Sequence, residues 1–443
     1  MTFSCLFGLL MLMIFVRYVL QILFPWELLL VIVAMIALTG DRNEIIAMCL
    51  CGAPLYTSMQ YIYAVVICLA FYLLKYGKEV RINSHVMPFI LLLLWEWLHS
   101  FDRYSSAVGA VRAMVPLLLC TFLMCCPREK IDYPFVSRVF ALCTSVMCLI
   151  VLSKVLIAAG FNLQLAFSNM QRFGMSGSAT ESLGADFNPN FLGFLCILGA
   201  TAMFQLRTAK EGRLADMVVA IFLMLCGLLT LSRTYLLCLL LMVMLLVLAN
   251  GCSVKKLIKL SATAVAVGAL LFLLLLLFFP AVVEDWVGRF QVEDITSGRL
   301  QLMARYHERI FENPDIYWFG IGIQSVTDKV VARFGPAKIL GTVVPHNSIQ
   351  EMVFCWGIPG LAMFIVFLVC MVKSAKRKNP DIRLLHYIPL ILLLIKSQAG
   401  QLISTPSNVL LLSLTYLSMC YKMDDRADAS QRNLRQEKEN CAE

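Results

Sequence analysis

The chain is a succession of apolar runs separated by short polar breaks, and that pattern leaves few folds open to it. The runs fall at about 4–23, 25–39, 44–57, 58–74, 86–99, 109–126, 134–159, 189–206, 215–231, 234–249, 258–280, 348–372, 384–396 and 402–421. A helix crosses a hydrocarbon core with about 20 apolar residues. In lipid, a helix satisfies its own backbone polar groups, which an irregular segment cannot do. The pattern therefore predicts an all-α polytopic membrane protein with about 12–14 transmembrane helices. The spread comes from residues 1–75, where the 44–57 run is short and holds Gly52 and Pro54. Composition agrees, since 60% of the 443 residues are hydrophobic and 15% are charged, against about 45–50% and about 25% in soluble domains. The apolar start, Met1 to Leu23, lacks a basic region and a small-residue cleavage site, so it is expected to remain as a span.

Charge sets the expected orientation. From residue 75 onward every second loop is basic: Lys75/Lys78/Arg81, Arg128/Lys130/Arg138, Arg207/Lys210/Arg213, Lys255/Lys256/Lys259 and Lys373/Lys376/Arg377/Lys378/Arg383. Basic loops stay in the cytoplasm. Loops 100–108, 160–188, 231–234, 281–347 and 397–405 are then expected outside, and the polar tail 422–443 inside. The membrane domain is expected to span 1–421 and to include 281–347 as its large outer loop. The net charge of +9 reflects this loop bias, and no nucleic-acid partner is expected. The 17 cysteines avoid 99–108, 160–188 and 281–346. Most lie inside apolar runs, where cysteine behaves as a small hydrophobe. Cys49-x-Cys51 and Cys125-Cys126 lack a second ligand pair, so no metal is expected. No glycine-rich phosphate loop occurs in a strand–helix setting, and no cofactor is expected. An internal repeat of the transporter kind is also missing from the sequence.

The one long polar stretch between apolar runs is 281–350, with eight Asp/Glu against seven Lys/Arg and many aromatics, Trp286, Tyr306, Tyr317 and Trp318 among them. A disordered segment is poorer in aromatics, so a folded helical cap is expected. Arg233 is the charge in the apolar run Met217 to Ala249, which must turn back at Ser232-Arg233-Thr234. The two arms are about 15 residues, or about 22 Å, so the turn is expected below the outer surface. An arginine there marks a site or a buried partner; the alternative is snorkelling to the headgroups. Arg289 and Arg299 each follow a glycine in the cap. Their planar forks suit phosphate oxygens, while pairing with Glu293, Asp294 or Glu308 is the plainer use. His346 ends the cap, after Pro345 and ahead of an apolar run. With an ordinary pKa of about 6.5 it suits a general base; a structural histidine beside an Asn347 or Ser348 N-cap fits equally. Asn188 and Asn190 open a span, either as caps or as holders of a sugar hydroxyl. Arg112 enters a span from the outer side and is a candidate for lining the same cavity. Arg17 reads as a helix contact or a snorkelling residue.

Taken together, these landmarks resemble the bacterial O-antigen ligase and O-antigen polymerase family of membrane glycosyltransferases. The resemblance runs from Asn188 to Gly360. It rests on Asn188-Pro189-Asn190-Phe191-Leu192-Gly193, Leu231-Ser232-Arg233-Thr234, Ser297-Gly298-Arg299, Asn313-Pro314 with Gly320-Ile321-Gly322, and His346-Asn347 with Gly357-Ile358-Pro359-Gly360. The spacing from Arg309 to Gly320 also resembles an arginine–glycine motif of polymerases. The resemblance implies a GT-C-like helical bundle in the bacterial cytoplasmic (inner) membrane, with the active site outside. It implies an undecaprenyl-diphosphate-linked oligosaccharide as donor and an acceptor glycan or glycolipid, with no nucleotide sugar. Arg233 and Arg299 would then hold diphosphate, with Arg289 beside them, and His346 would serve the acceptor. Asn347, Asn188, Asn190, Arg112 and Arg309 are further candidates for substrate contact. The physical chemistry agrees, because a departing lipid diphosphate needs fixed positive charge where negative charge develops. Polymerisation of lipid-linked repeat units is the expected activity. Ligation of the glycan to a lipid or protein acceptor is the alternative, and a flippase the second alternative.

Overall fold

The computed structural model describes residues 2–55, 61–99, 107–126, 131–163, 165–166, 173–174, 188–249, 273, 276–277, 280, 283–284, 287–288, 299–323, 347–400, 402–403 and 405–422. Among them all regular structure is helical: α1 (Thr2–Val19), α2 (Trp26–Thr39), α3 (Arg42–Cys51), α4 (Tyr61–Tyr76), α5 (Met87–His99), α6 (Ala107–Cys125), α7 (Tyr133–Ala158), α8 (Pro189–Thr208), α9 (Leu214–Leu229), α10 (Arg233–Ala249), α11 (Arg299–Glu312), α12 (Pro314–Phe319), α13 (Ser348–Lys378), α14 (Leu384–Gln398) and α15 (Pro406–Cys420). Among the described residues, five helical stretches, namely α1, Tyr61–Glu79, α7, α8 and α13, are long and apolar enough to cross a membrane. Shorter apolar helices stand beside them. The chain is an all-α polytopic membrane protein. Of the expected runs, 258–280 lies almost wholly outside the described residues.

The centre is α8. Of its apolar stretch 89% is buried, and it packs against α7, α9, α10 and α14. Its small residues allow close approach, the usual basis of helix association in lipid. Gly193 faces Thr230 and Tyr235, and Gly199 faces Leu223 and Ala141. On the outer ring, Leu12, Leu38, Leu74 and Leu240 point away from the core, the pattern of a surface made for acyl chains.

Three elements differ from the simple run pattern. The expected span 44–57 is α3, ten residues long, or about 15 Å, too short to cross. A capping box between Asp41 and Glu44 starts it, and it ends buried against α4 and α7. The hairpin of the long apolar run turns at 230–232, and Arg233 already begins α10. Thr230 donates its hydroxyl to the Gly227 carbonyl, and Ser232 accepts from the Tyr235 N–H at 3.3 Å. Leu231 is left-handed between them, with φ 51°. The third difference is α13, 31 residues long and broken at Gly357, which has φ 68° and ψ −175°.

The break in α13 has a sequence cause. Pro359 has no N–H to return to Cys355, so that carbonyl needs another donor. An extended segment after α12 supplies it. The Gly322 N–H reaches the Cys355 carbonyl at 2.6 Å, and the Ile321 N–H reaches Phe354 at 3.0 Å. The Trp95 indole donates to the Trp356 carbonyl at 2.8 Å. The backbones cross so closely that glycine is required on both sides. A Cβ on Gly320 would lie 2.4 Å from the Cys355 carbonyl, and one on Gly357 would lie 2.3 Å from the Trp318 oxygen.

At the basic-loop end, cations are used as helix stops. Lys378 donates to the Leu123 carbonyl at 2.8 Å and also to Cys126, at the end of α6. Lys75 donates to Gly40 after α2 at 2.8 Å. Arg42 pairs with Glu79 under the Tyr76 ring. Arg138 forks onto Asp216 at 3.1 Å. The residues that set the expected orientation thus also satisfy orphan carbonyls and carboxylates. A cleft of about 560 Å³ opens at this end, lined by Asp132, Tyr133, Glu211, Tyr421 and Lys422 among others.

Candidate functional site

The break divides α13 into a half-helix, 348–356, and a longer span, 358–378. Broken helices in membrane proteins occur where the freed backbone is buried in protein or lines a cavity. Here the half-helix begins two residues after position 346 and is held at both ends. At its start Asn347 is the N-cap, accepting from the Ile349 and Gln350 N–H groups at 3.0 and 3.1 Å. The Asn347 amide donates to the Gln398 side chain at 3.2 Å, and Ser348 donates to the Ser397 carbonyl at 2.7 Å. Buried Glu351 accepts from the Leu402 and Ile403 N–H groups at 2.7 and 3.1 Å. The first turn of α13 therefore grips the α14–α15 connection.

The cap also meets this turn. The Gln350 amide donates to the Met303 carbonyl of α11 at 2.8 Å. Met303 lies about one helical turn from Arg299, and Gln350 about one turn from Asn347. The start of α11 thus has its backbone within about a turn of the Asn347 cap.

At the other end of the half-helix stands a carboxylate of α5. Glu96 is 2% exposed. Its two oxygens each lie 3.0 Å from the Ile323 N–H, and Oε2 accepts from the Trp356 indole at 2.8 Å. Next to it, Trp95 stacks on Phe319 at 6.1 Å and 16°. A buried carboxylate is costly unless its lone pairs are filled, and charge-assisted bonds of this kind are the strong ones.

Several helix N-termini gather at the Asn347 end of the bundle. Arg233, half-buried, starts α10, which packs on α14 and α8. Cys238, further along α10, is within electrostatic reach of Lys396 of α14. Lys396 is buried, donates to Asn408 at 2.7 Å, and sits 5.6 and 5.3 Å from the Phe191 and Phe194 rings of α8. The starts of α8, α10 and α13 and the end of α14 therefore share one end. Three N-termini there bring partial positive charge.

Asn188 caps α8, accepting from the Asn190 N–H at 3.0 Å and the Phe191 N–H at 3.4 Å. Asn190 is half-buried in the first turn of that helix. Asn347 caps α13 as described. Arg17, by contrast, donates to the Phe24 carbonyl and lies over that ring, a local contact. Arg299 starts α11, Arg309 lies within it and Arg112 lies in α6, but only their backbones are among the described atoms. His346 and Arg289 lie outside the described residues. Sequence reasoning passed over Glu96, Glu351 and Lys396. The signal that drew attention to Arg233, a lone charge inside an apolar run, also marks Glu96 in the run 86–99 and Lys396 in the run 384–396.

Residues 218–365 match the family model described as O-antigen ligase. The matched part takes in most of α9, all of α10 to α12, and α13 through its break. No curated protein matches the chain.

Proposed function

We propose that the chain is a membrane glycan-assembly protein that polymerises lipid-diphosphate-linked oligosaccharide units, a reading supported by the match of residues 218–365 to the O-antigen ligase family model. The observation that carries the proposal is the fixed half-helix 348–356. It begins beside position 346, is tied to the arginine-bearing cap through Gln350, and shares its end of the bundle with Arg233. In this reading Arg233 and Arg299, with Arg289, bind the diphosphate of an undecaprenyl-linked donor. His346 takes the proton of an acceptor hydroxyl as that oxygen bonds to the anomeric carbon. The bond from the anomeric carbon to the diphosphate oxygen breaks, and the lipid diphosphate departs with the electron pair. Attack opposite the leaving group inverts the anomeric configuration. Guanidinium forks and helix N-termini supply the positive charge that the departing oxygen needs. The site faces outward in the bacterial cytoplasmic membrane, and the tail 422–443 lies in the cytoplasm.

The test is deletion in the native host followed by a length profile of surface polysaccharide. A polymerase leaves single attached units and no long chains. Accumulation of lipid-linked polymer with nothing attached overturns polymerisation in favour of ligation. Loss of both long chains and single attached units, with lipid-linked donor trapped on the cytoplasmic face, would instead identify a flippase.

A further inference from the structure

Residues 281–347 are expected outside the membrane, yet the end of α12 carries two large apolar side chains that the protein does not cover. Trp318 is 54% exposed and Phe319 59%. We propose that α12 and the glycine segment 320–323 form a re-entrant element, dipping into the lipid core from the side opposite the basic loops, with Trp318 and Phe319 facing the acyl chains of the bilayer. The proposal is independent of the reaction that the protein performs.

Depth follows from the two helices that hold the segment. α5 and α13 meet at the basic-loop end, where His85, just before α5, lies 3.0 Å from Arg377. Along α5, Trp95 and Glu96 lie about nine residues from its start, or about 13 Å. Along α13, Gly357 lies about 16 residues from Lys373, or about 24 Å. Both lengths fall short of a hydrocarbon core of about 30 Å, and helix tilt lowers the second further. The end of α12 sits at this level. A Cβ on Gly357 would lie 2.3 Å from the Trp318 oxygen, and the Phe319 ring stacks on Trp95 at 6.1 Å. The segment is therefore inside the thickness of the core, not above it.

The backbone is built for that depth. Non-helical backbone inside a membrane requires protein partners for its polar groups, whereas in water solvent supplies them. Four successive N–H groups here have protein acceptors. Gly320 donates to the Ile316 carbonyl at 2.8 Å, Ile321 to Phe354 at 3.0 Å and Gly322 to Cys355 at 2.6 Å. Ile323 donates to the Glu96 carboxylate at 3.0 Å.

The side chains sort in the same way. Residues 316–323 carry no charge, while Glu312 and Asp315, at the entry to the segment, are exposed. Ile316, Ile321 and Ile323 are buried against the protein. Trp318 and Phe319 point outward, and α12 abuts α5 through the Phe319–Trp95 stack. On α5, Leu94, Trp97 and Leu98 are exposed too, at a spacing that places them on one helix face. The exposed apolar surface of α5 thus continues onto α12. In water so large an apolar patch is a liability; against acyl chains it is the ordinary protein surface.

The experiment uses the full chain in nanodiscs whose lipids carry bromine on the acyl chains, a contact quencher of tryptophan fluorescence. Iodide is the quencher from the water side. The emission of the unmodified protein minus that of Trp318→Phe isolates Trp318, and Trp97→Phe isolates a reference residue on α5. The Trp318 emission is expected to lose most of its intensity in bromolipid and to be unaffected by iodide, as for Trp97. Quenching of Trp318 by iodide, alone or together with bromolipid, overturns the proposal by placing α12 in water or among the headgroups. Quenching by neither overturns it by removing Trp318 from the lipid face. A second measurement needs no variant. A lipid with a photoactivatable diazirine on its acyl chain should attach to the unmodified protein on the peptide that contains 314–323, read by mass spectrometry. Attachment to α5 with none on that peptide overturns the proposal.

Discussion

At the residue scale the sharpest expectations concern side chains proposed to meet the substrate. His346→Ala should lower turnover by roughly 10²–10⁴-fold, the worth of a positioned acid–base group. Affinity for the lipid-linked donor should stay near its starting value. Single-turnover transfer measured across pH 5 to 8 checks this, and normal transfer at saturating donor would make His346 a binding residue. Arg233→Ala should abolish transfer while leaving membrane insertion intact. Arg233→Lys should restore only part of it, since lysine keeps the charge and loses the fork. A different histidine makes a pH prediction of its own. His85, in the turn before α5, lies 3.0 Å from Arg377. Burial, then Arg377, Lys378 and Lys373, push its pKa down. The folded state therefore holds the neutral ring. That contribution is complete above the pKa of an unfolded histidine, about 6.5, and is lost as pH falls toward the lower folded value. The thermal midpoint should drop on acidification, and His85→Gln should flatten that drop. A midpoint with the same pH slope in both proteins would remove His85 from the account.

At the element scale the broken α13 is the decisive feature. Gly357 is left-handed and its missing Cβ is occupied by the Trp318 carbonyl. Gly357→Ala should destabilise by at least the about 1–3 kcal/mol of a strained backbone position, with a lower thermal midpoint in detergent. Gly320→Ala should behave alike. Gly8 of α1, which has open space around its α-carbon, provides the control, and Gly8→Ala should be neutral or slightly stabilising because alanine favours helix. Equal midpoints for Gly357→Ala and Gly8→Ala would contradict the close crossing of α12 and α13. The glycines and Pro359 were visible in the sequence as a cluster. What they do was not, since a run of apolar residues from 348 to 372 reads as one uninterrupted span. Only the partner segment 320–323, folded back onto it, makes a break affordable.

At the scale of the whole molecule, orientation remains the expectation on which the active-site proposal hangs. Among the described residues, Lys378 and Arg138 of the basic loops share one end, and Asn188, Arg233 and Asn347 share the other. A cysteine placed at Lys329 should react with a membrane-impermeant thiol reagent in intact cells, after permeabilising an outer envelope where one exists. A cysteine in the tail 422–443 should not. The reverse pattern would put the candidate site in the cytoplasm and end the proposed use of an outward-facing lipid-linked donor.

By itself the sequence determined the class of the fold, the positions of most helices and the family of the matched region. Each of these follows from local properties: length and hydropathy of a run, charge of a loop, spacing of short motifs. The bounds of α8, α10, α14 and α15 lie within a few residues of the runs that announced them. The sequence also marked the Asn188 and Asn347 caps, because an asparagine just ahead of a helix has one preferred task. Tertiary structure decided what could not be local. It decided that α3 stops short and stays buried, that α13 breaks, and that Glu96 from the first quarter of the chain holds a joint 260 residues away. The physical reason is that a backbone carbonyl freed inside a membrane must find a donor. Which donor arrives depends on how distant helices pack, and no run of neighbouring residues contains that information.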